Sequence, residues 1–232
     1  MSGPAAGPGV PAEPPRTVVV LAKSPVPGRV KTRLTSLLSP EAAADVATAA
    51  LADTLDAVAG LAADHVLALD GPAGPWVPPG FDVIRQGPGG LDRRLAAAFD
   101  DVWARHPGPV LLVGMDTPQL APQLSAVDLA GHDAVLGLAQ DGGFWAVGLR
   151  APDPALFLGV PMSEPTTGAE QLERLRAHGL RVALLPTLRD VDDPDDADAV
   201  ARAVPGSRFA RRWHAARRAA EGSRHRAAGA RS

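Results

Sequence analysis

Short apolar runs alternate along this chain with longer stretches in which apolar positions recur every three or four residues. Thr17 to Ala22 (TVVVLA) is a continuous run rich in β-branched side chains, and a segment containing Pro25, Pro27 and Gly28 ends it. It predicts a buried first strand followed by a polar loop. Ser39-Pro40-Glu41 then supplies an N-cap, a proline for the first helical position and an early acid, and Ala47, Leu51, Leu55 and Val58 mark one side of a helix. His65 to Leu69 and Phe81 to Ile84 read as strands separated by the turn-rich GPAGPWVPPG. A helix follows from Leu91 to about Arg105, with Leu91, Leu95, Phe99 and Val102 on one side. Val110 to Val113 reads as a strand, Ala121 to Ala130 as a helix, and Asp133 to Leu138 and Phe144 to Leu149 as strands. Thr167 and Glu170 have the spacing of a capping box for a helix to about His178, with Gly179 placed to stop it. Arg181 to Leu185 is the last strand, and Pro194 to Val204 the last core helix.

Alternating strands and helices predict an α/β fold, with a mostly parallel sheet covered by helices on both faces and ligands bound beyond the carboxyl ends of its strands. No repeat or linker divides the pattern, so one domain is expected over residues 17–204. The first sixteen residues, with five Pro and three Gly among the first fifteen, predict a disordered tail and lack the form of a secretory signal.

The composition, 46% hydrophobic and 21% charged, is that of a soluble globular protein, and no run of eighteen apolar residues exists to span a membrane. The absence of cysteine excludes disulfides, thiol nucleophiles and thiolate metal sites, and leaves carboxylates as the main metal ligands. A cytoplasmic location is expected. Residues 1–200 carry 14 Lys/Arg against 25 Asp/Glu, whereas residues 201–232 carry nine Arg against Glu221 alone. This basic end, residues 205–232, predicts a solvated helix that frays into disorder or folds back on the acidic body, and no nucleic-acid role is assigned to it.

Candidate chemistry gathers where the loops should open on the sheet's edge. Lys23-Ser-Pro-Val-Pro-Gly-Arg-Val-Lys-Thr-Arg33 places four cations in eleven residues after the first strand. Lys23, Arg29, Lys31 and Arg33 could surround a polyphosphate, with Pro27 and Gly28 shaping a backbone that approaches it closely, although the Walker A spacing is absent. Asp116 follows the fourth strand and is left free if Thr117 and Pro118 begin the next helix, so it is the first candidate for Mg²⁺ or Mn²⁺. Of the six acids from Asp190 to Asp198, Asp193, Asp195 and Asp196 serve the start of a helix. That leaves Asp190 and Asp192, of which Asp192 is taken as the second metal ligand. Asp141-Gly142-Gly143 is either a plain hairpin turn or a substrate-binding turn.

AKSPVPGRVKTRL (22–34), VGMDTPQL (113–120), DGGFWAVGL (141–149) and LRDVDDPDDA (188–197) together resemble the radical-SAM/selenodomain-associated transferases, a glycosyltransferase-like family linked to arsenosugar biosynthesis. The resemblance implies a GT-A fold of the nucleotide-diphospho-sugar transferase superfamily, a Rossmann-like three-layer α/β/α sandwich. The chain is more distantly similar to the guanylyltransferases of coenzyme F420 and molybdenum-cofactor synthesis. That similarity implies metal binding at Asp116, and a cytidylyltransferase-like segment implies it at Asp192. Met162-Ser163-Glu164 stands where the family often shows Trp-Ser-Thr, in the region implied to face the acceptor, which adds Ser163 to the substrate-binding candidates. The partners expected are a nucleotide and a small-molecule acceptor. Nucleotidylyl transfer is marginally favoured over glycosyl transfer, because Gly114 stands where a D-x-D pair would need an acid. A nucleotide-binding regulator without turnover is the third reading. In both transfer readings Lys31, Arg33 and Asp116 carry catalysis, by positioning and electrostatics.

Overall fold

The computed structural model describes Glu13 and residues 15–229. Seven strands form one sheet: β1 Thr17–Lys23, β2 Asp64–Asp70, β3 Phe81–Arg85, β4 Val110–Gly114, β5 Ala134–Ala139, β6 Phe144–Leu149 and β7 Val182–Leu188. Their order is β3-β2-β1-β4-β6-β5-β7, and β6 is antiparallel to both neighbours while the other pairings are parallel. The helices are α1 Pro40–Ala59, α2 Leu91–Arg105, α3 Ala121–Leu124, α4 Thr167–Ala177, α5 Pro194–Ala203 and α6 Arg208–Gly229. This is the mostly parallel α/β sheet expected from the alternation of elements.

Side chains alternate across a strand, so both faces of β1 need cover. Val18, Val20 and Ala22 pack in one cluster with Leu51, Leu55 and Val58 of α1. Val19 faces the other way, into a cluster with Leu95, Phe99 and Val102 of α2. Burial on both faces is why β1 reads as an unbroken apolar run.

Four local expectations are corrected. The helix expected from Ala121 to Ala130 stops at Leu124, because the Asp128 carboxylate accepts from the Ala130 and Glu13 backbone N–H groups and holds a turn instead. Thr117 does not cap a helix: its hydroxyl is buried without a partner among the described residues, and its carbonyl accepts from Leu120 N–H across a turn. The capping box expected at α4 does not form: the N-cap is Thr166, and its side chain caps no backbone N–H. Thr166 Oγ1 donates to Glu170, while Thr167 Oγ1 donates to the Pro161 carbonyl and accepts from Glu164 N–H, so Thr167 ties down the preceding loop. The strand expected to end at Leu185 runs on through Pro186 to Leu188, which is possible because β7 lies at the sheet's edge, where a missing N–H is tolerated.

The ends of the fold also shift. Glu13 pairs with Arg150 at 2.6 Å and its carbonyl accepts from Leu129 N–H, so ordered packing begins before Thr17. The disorder expected for residues 1–12 and 14, and for 230–232, lies outside the described residues. The basic end is not a solvated helix over its first turns: Phe209, Ala210 and Trp213 of α6 are fully buried in a cluster with α1 and α5. No helix among the described residues is long and apolar enough to cross a membrane.

Candidate active site

The loops after β1, β4 and β7 and the β5–β6 turn surround one cleft of about 560 Å³ at the carboxyl ends of the parallel strands. Lys23, Arg29, Lys31 and Arg33 line it from the β1 loop, Asp116 from the β4 loop, Asp190 and Asp192 from the β7 loop, and Asp141 and Gly143 from the β5–β6 turn. Ser163 closes it from the loop before α4.

Local backbone places the cations. Gly28 has φ +74°, a conformation that favours glycine, and turns the loop back toward the sheet. Lys31 takes up φ +46°, uncommon for a residue with a side chain, immediately before the 3₁₀ turn Thr32–Ser36. Its ammonium meets Asp116 Oδ1 at 2.6 Å and donates to the Val191 carbonyl, with the side chain only 9% exposed. Arg33 pairs with Asp192 in the open part of the cleft. Val191 N–H in turn donates to the Asp116 carbonyl at 2.9 Å, and Gln119 Nε2 to the Arg189 carbonyl at 2.5 Å, so the β4 and β7 loops are stitched together.

The negative side of the cleft is crowded. Burial first, then the charges of Asp141 and Asp116, push the Asp190 carboxyl up to about 6, against the pull of its backbone hydrogen bond and of Lys31. Ionising Asp190 therefore costs more than usual, as expected for a half-buried carboxyl near two other carboxylates. Asp193 and Asp196 do form the capping box of α5, with Asp193 Oδ1 accepting from Asp195 and Asp196 N–H. Only Asp190 and Asp192 of that acidic stretch line the cleft.

Other expected residues divide. Pro27 and Gly28 shape the loop without lining the cleft, and Gly142 does not line it either. The glycine at 142 is required by the chain itself: φ is +91°, and a Cβ there would stand 1.9 Å from the Pro165 carbonyl oxygen. Its freedom thus serves packing of the α4 loop. Asp141 Oδ1 accepts from Gly143 N–H within the turn, and its charge reaches Asp190. Ser163 sits at φ +63°, a second strained position on the cleft rim. Trp145 is buried, with Nε1 donating to the Pro186 carbonyl.

Several lining residues were absent from the sequence-derived set, among them Asp190, Gln86, Arg94, Glu164 and Thr167. The signal for Asp190 was its freedom from helix capping, which Asp192 shares. Gln86 donates to the Ala22 and Ala68 carbonyls, bridging β1 and β2, and accepts from Arg94 Nη1 at 3.3 Å. Nothing in the periodicity marks Gln86, because its role comes from three strands meeting.

The family described as uncharacterized protein conserved in bacteria (DUF2064) matches residues 42–164, just over half of the chain. A 3-phospho-D-glycerate guanylyltransferase of Phenylobacterium zucineum (strain HLK1) is 35% identical over 208 residues, covering 78% of this chain and 88% of that one. The crystal structure of a protein from Desulfovibrio desulfuricans G20, classed as a nucleotide-diphospho-sugar transferase, matches with a TM-score of 0.74 at 27% identity, over 83% of this chain and 89% of that one. The inositol-1-phosphate CTP transferase of T. maritima shares the fold, with a TM-score of 0.54 at 12% identity, over 84% of this chain and 99% of that one. The chain belongs to the family described as uncharacterized protein conserved in bacteria, DUF2064, and is a transferase.

Proposed function

We propose that the protein transfers a nucleotidyl group from a nucleoside triphosphate to a small phosphorylated acceptor. The observation that carries this reading is the cleft itself, where the cations of the β1 loop face the acids of the β4 and β7 loops, with Lys31 already bound to Asp116. A phosphate oxygen of the acceptor attacks the α-phosphorus, the bond to the bridging oxygen breaks, and pyrophosphate leaves. Lys31 and Arg33 exchange their carboxylate partners for oxygens of the leaving pyrophosphate as charge develops there, and Lys23 and Arg29 orient it. The guanylyltransferase activity of the Phenylobacterium relative supports guanosine as the nucleoside and a phosphorylated three-carbon acid as the acceptor class.

The donor set fits a hard divalent cation, because the acids lining the cleft, Asp116, Asp190 and Asp192 among them, offer oxygen ligands. Among the described residues no three such side chains converge on one point. The ion would therefore be held by Asp116 with Asp192 or Asp190, leaving other positions for phosphate oxygens and water, the usual way Mg²⁺ is bound beside phosphates. Such an ion would supply charge neutralisation at the phosphates.

Glycosyl transfer from a nucleotide-diphospho-sugar is the second reading, favoured by the class of the Desulfovibrio structure. A panel of triphosphates with phosphorylated acids, run beside nucleotide sugars with Mg²⁺, separates the two. Pyrophosphate release supports nucleotidylyl transfer, and nucleoside diphosphate release from the sugars overturns it. Binding without either product supports a regulator.

A further inference from the structure

The loop that carries the cations and the loop that carries the acids rest on one buried cluster, and the C-terminal helix completes it. Leu34, next to Arg33, and Val191, between Asp190 and Asp192, share this cluster with Val200 and Ala201 of α5 and with Phe209, Ala210 and Trp213 of α6. Leu34, Phe209 and Trp213 have no solvent exposure, and Val191 has 1%. Val191 is also the backbone node of the cleft, since its N–H holds Asp116 and its carbonyl holds Lys31. Polar contacts fasten α6 from outside: Trp213 Nε1 donates to Asp198 Oδ1 at 2.7 Å, Arg217 pairs with the same carboxylate, and Arg208 pairs with Asp56 at 2.5 Å.

We propose that α6 is part of the active-site scaffold, with Trp213 and Phe209 acting as positioning residues. Through Leu34 and Val191 they set the spacing between Lys31 and Arg33 on one side of the cleft and Asp116, Asp190 and Asp192 on the other. The catalytic part of this inference rests on the nucleotidylyl-transfer reading of the cleft. Packed interiors have little compressibility, so a void under Val191 shifts the peptide that holds both Lys31 and Asp116. Catalysis by positioning loses on the order of 10²-fold for a shift of about 1 Å.

The test uses the full-length chain with Trp213→Ala, Trp213→Phe and, on the exposed side of α6, Arg218→Ala. Hydrogen exchange is followed in peptides covering residues 29–36 and 188–193 and in β1 and β4, alongside kcat and KM for a triphosphate with Mg²⁺. The expected result for Trp213→Ala is exchange accelerated more in the two loop peptides than in β1 and β4, and kcat lowered on the order of 10²-fold. Trp213→Phe should recover most of both, and Arg218→Ala should match the wild type. A folded Trp213→Ala with loop exchange unaltered, or raised equally throughout the sheet, overturns the proposal, as does kcat within about twofold of wild type. If Trp213→Ala does not fold, Trp213→Leu takes its place under the same criteria. A wild-type chain without nucleotide turnover would remove the catalytic reading, and the exchange comparison would still decide whether α6 holds the two loops.

Discussion

The contact between Lys31 and Asp116 joins residues 85 positions apart, and it defines the resting state of the cleft. A nearly covered ammonium beside a half-open carboxylate is held ready for a stronger anion, because phosphate oxygens can replace the carboxylate without uncovering the amine. Lys31→Met keeps most of the stem and removes the charge. Steady-state kinetics on that variant should show turnover lowered by on the order of 10²- to 10³-fold, and thermal melting should show the fold retained. Unchanged kcat would remove Lys31 from the chemistry. At this scale the sequence was readable in residue type and not in partnership. Four cations in a loop and a lone acid after a strand stood out, but no local pattern says that Arg33 finds Asp192 across 159 positions. In sequence both Asp190 and Asp192 were free of helix capping and Asp192 was preferred; only folding shows that Asp190 sits among carboxylates while Asp192 has Arg33.

Elements with a strong period were legible almost to their ends: α2 occupies Leu91–Arg105 and β6 Phe144–Leu149, as the apolar spacing predicts. Where side chains compete with the backbone the reading failed, and Asp128 ending α3 is the clearest case. The Asp-Gly-Gly turn gives an element-scale prediction. Gly142→Ala combines positive φ with a clash against the Pro165 carbonyl, and should destabilise the fold by about 2–4 kcal/mol in urea denaturation. A change under about 0.5 kcal/mol would show that the turn rearranges freely. A pH dependence belongs to the docking of α6. Burial raises the Asp198 pKa, but the hydrogen bonds from Trp213 and Arg217 outweigh it and leave the group below its usual value. A lowered carboxylate pKa contributes stability that is present above the unfolded value, near pH 4, and is lost as pH falls through the folded value. Wild type should therefore lose its stability advantage over Asp198→Asn as pH falls below about 4, measured by denaturation at fixed ionic strength. An advantage independent of pH in that range would contradict the assignment.

Over the whole molecule, the uneven charge of the sequence becomes an intramolecular complement: Arg208, Arg212 and Arg217 of the basic end meet Asp53, Asp56, Asp45 and Asp198 of the acidic body. The Arg208–Asp56 and Arg212–Asp45 pairs are about half exposed on both sides, so each contributes little, and the apolar anchor dominates. Arg212→Ala should cost under about 1 kcal/mol, whereas Trp213→Ala should cost about 3–5 kcal/mol in equilibrium unfolding. Similar values for the two would show that charge, and not burial, docks the helix. The basic composition of residues 205–232 concealed this anchor, because two buried aromatics among many arginines leave a weak apolar period.

The central claim, that the cleft transfers a nucleotidyl group, is tested most directly by following the α-phosphoryl group. Guanosine triphosphate labelled at that phosphorus is incubated with Mg²⁺, 3-phospho-D-glycerate and either wild type or Asp116→Asn, and the products are separated. The account predicts that the label moves onto the acceptor as unlabelled pyrophosphate appears, and that Asp116→Asn abolishes transfer while staying folded. Label that stays on the nucleotide across the whole panel of acceptors, or transfer that persists in Asp116→Asn, would contradict it.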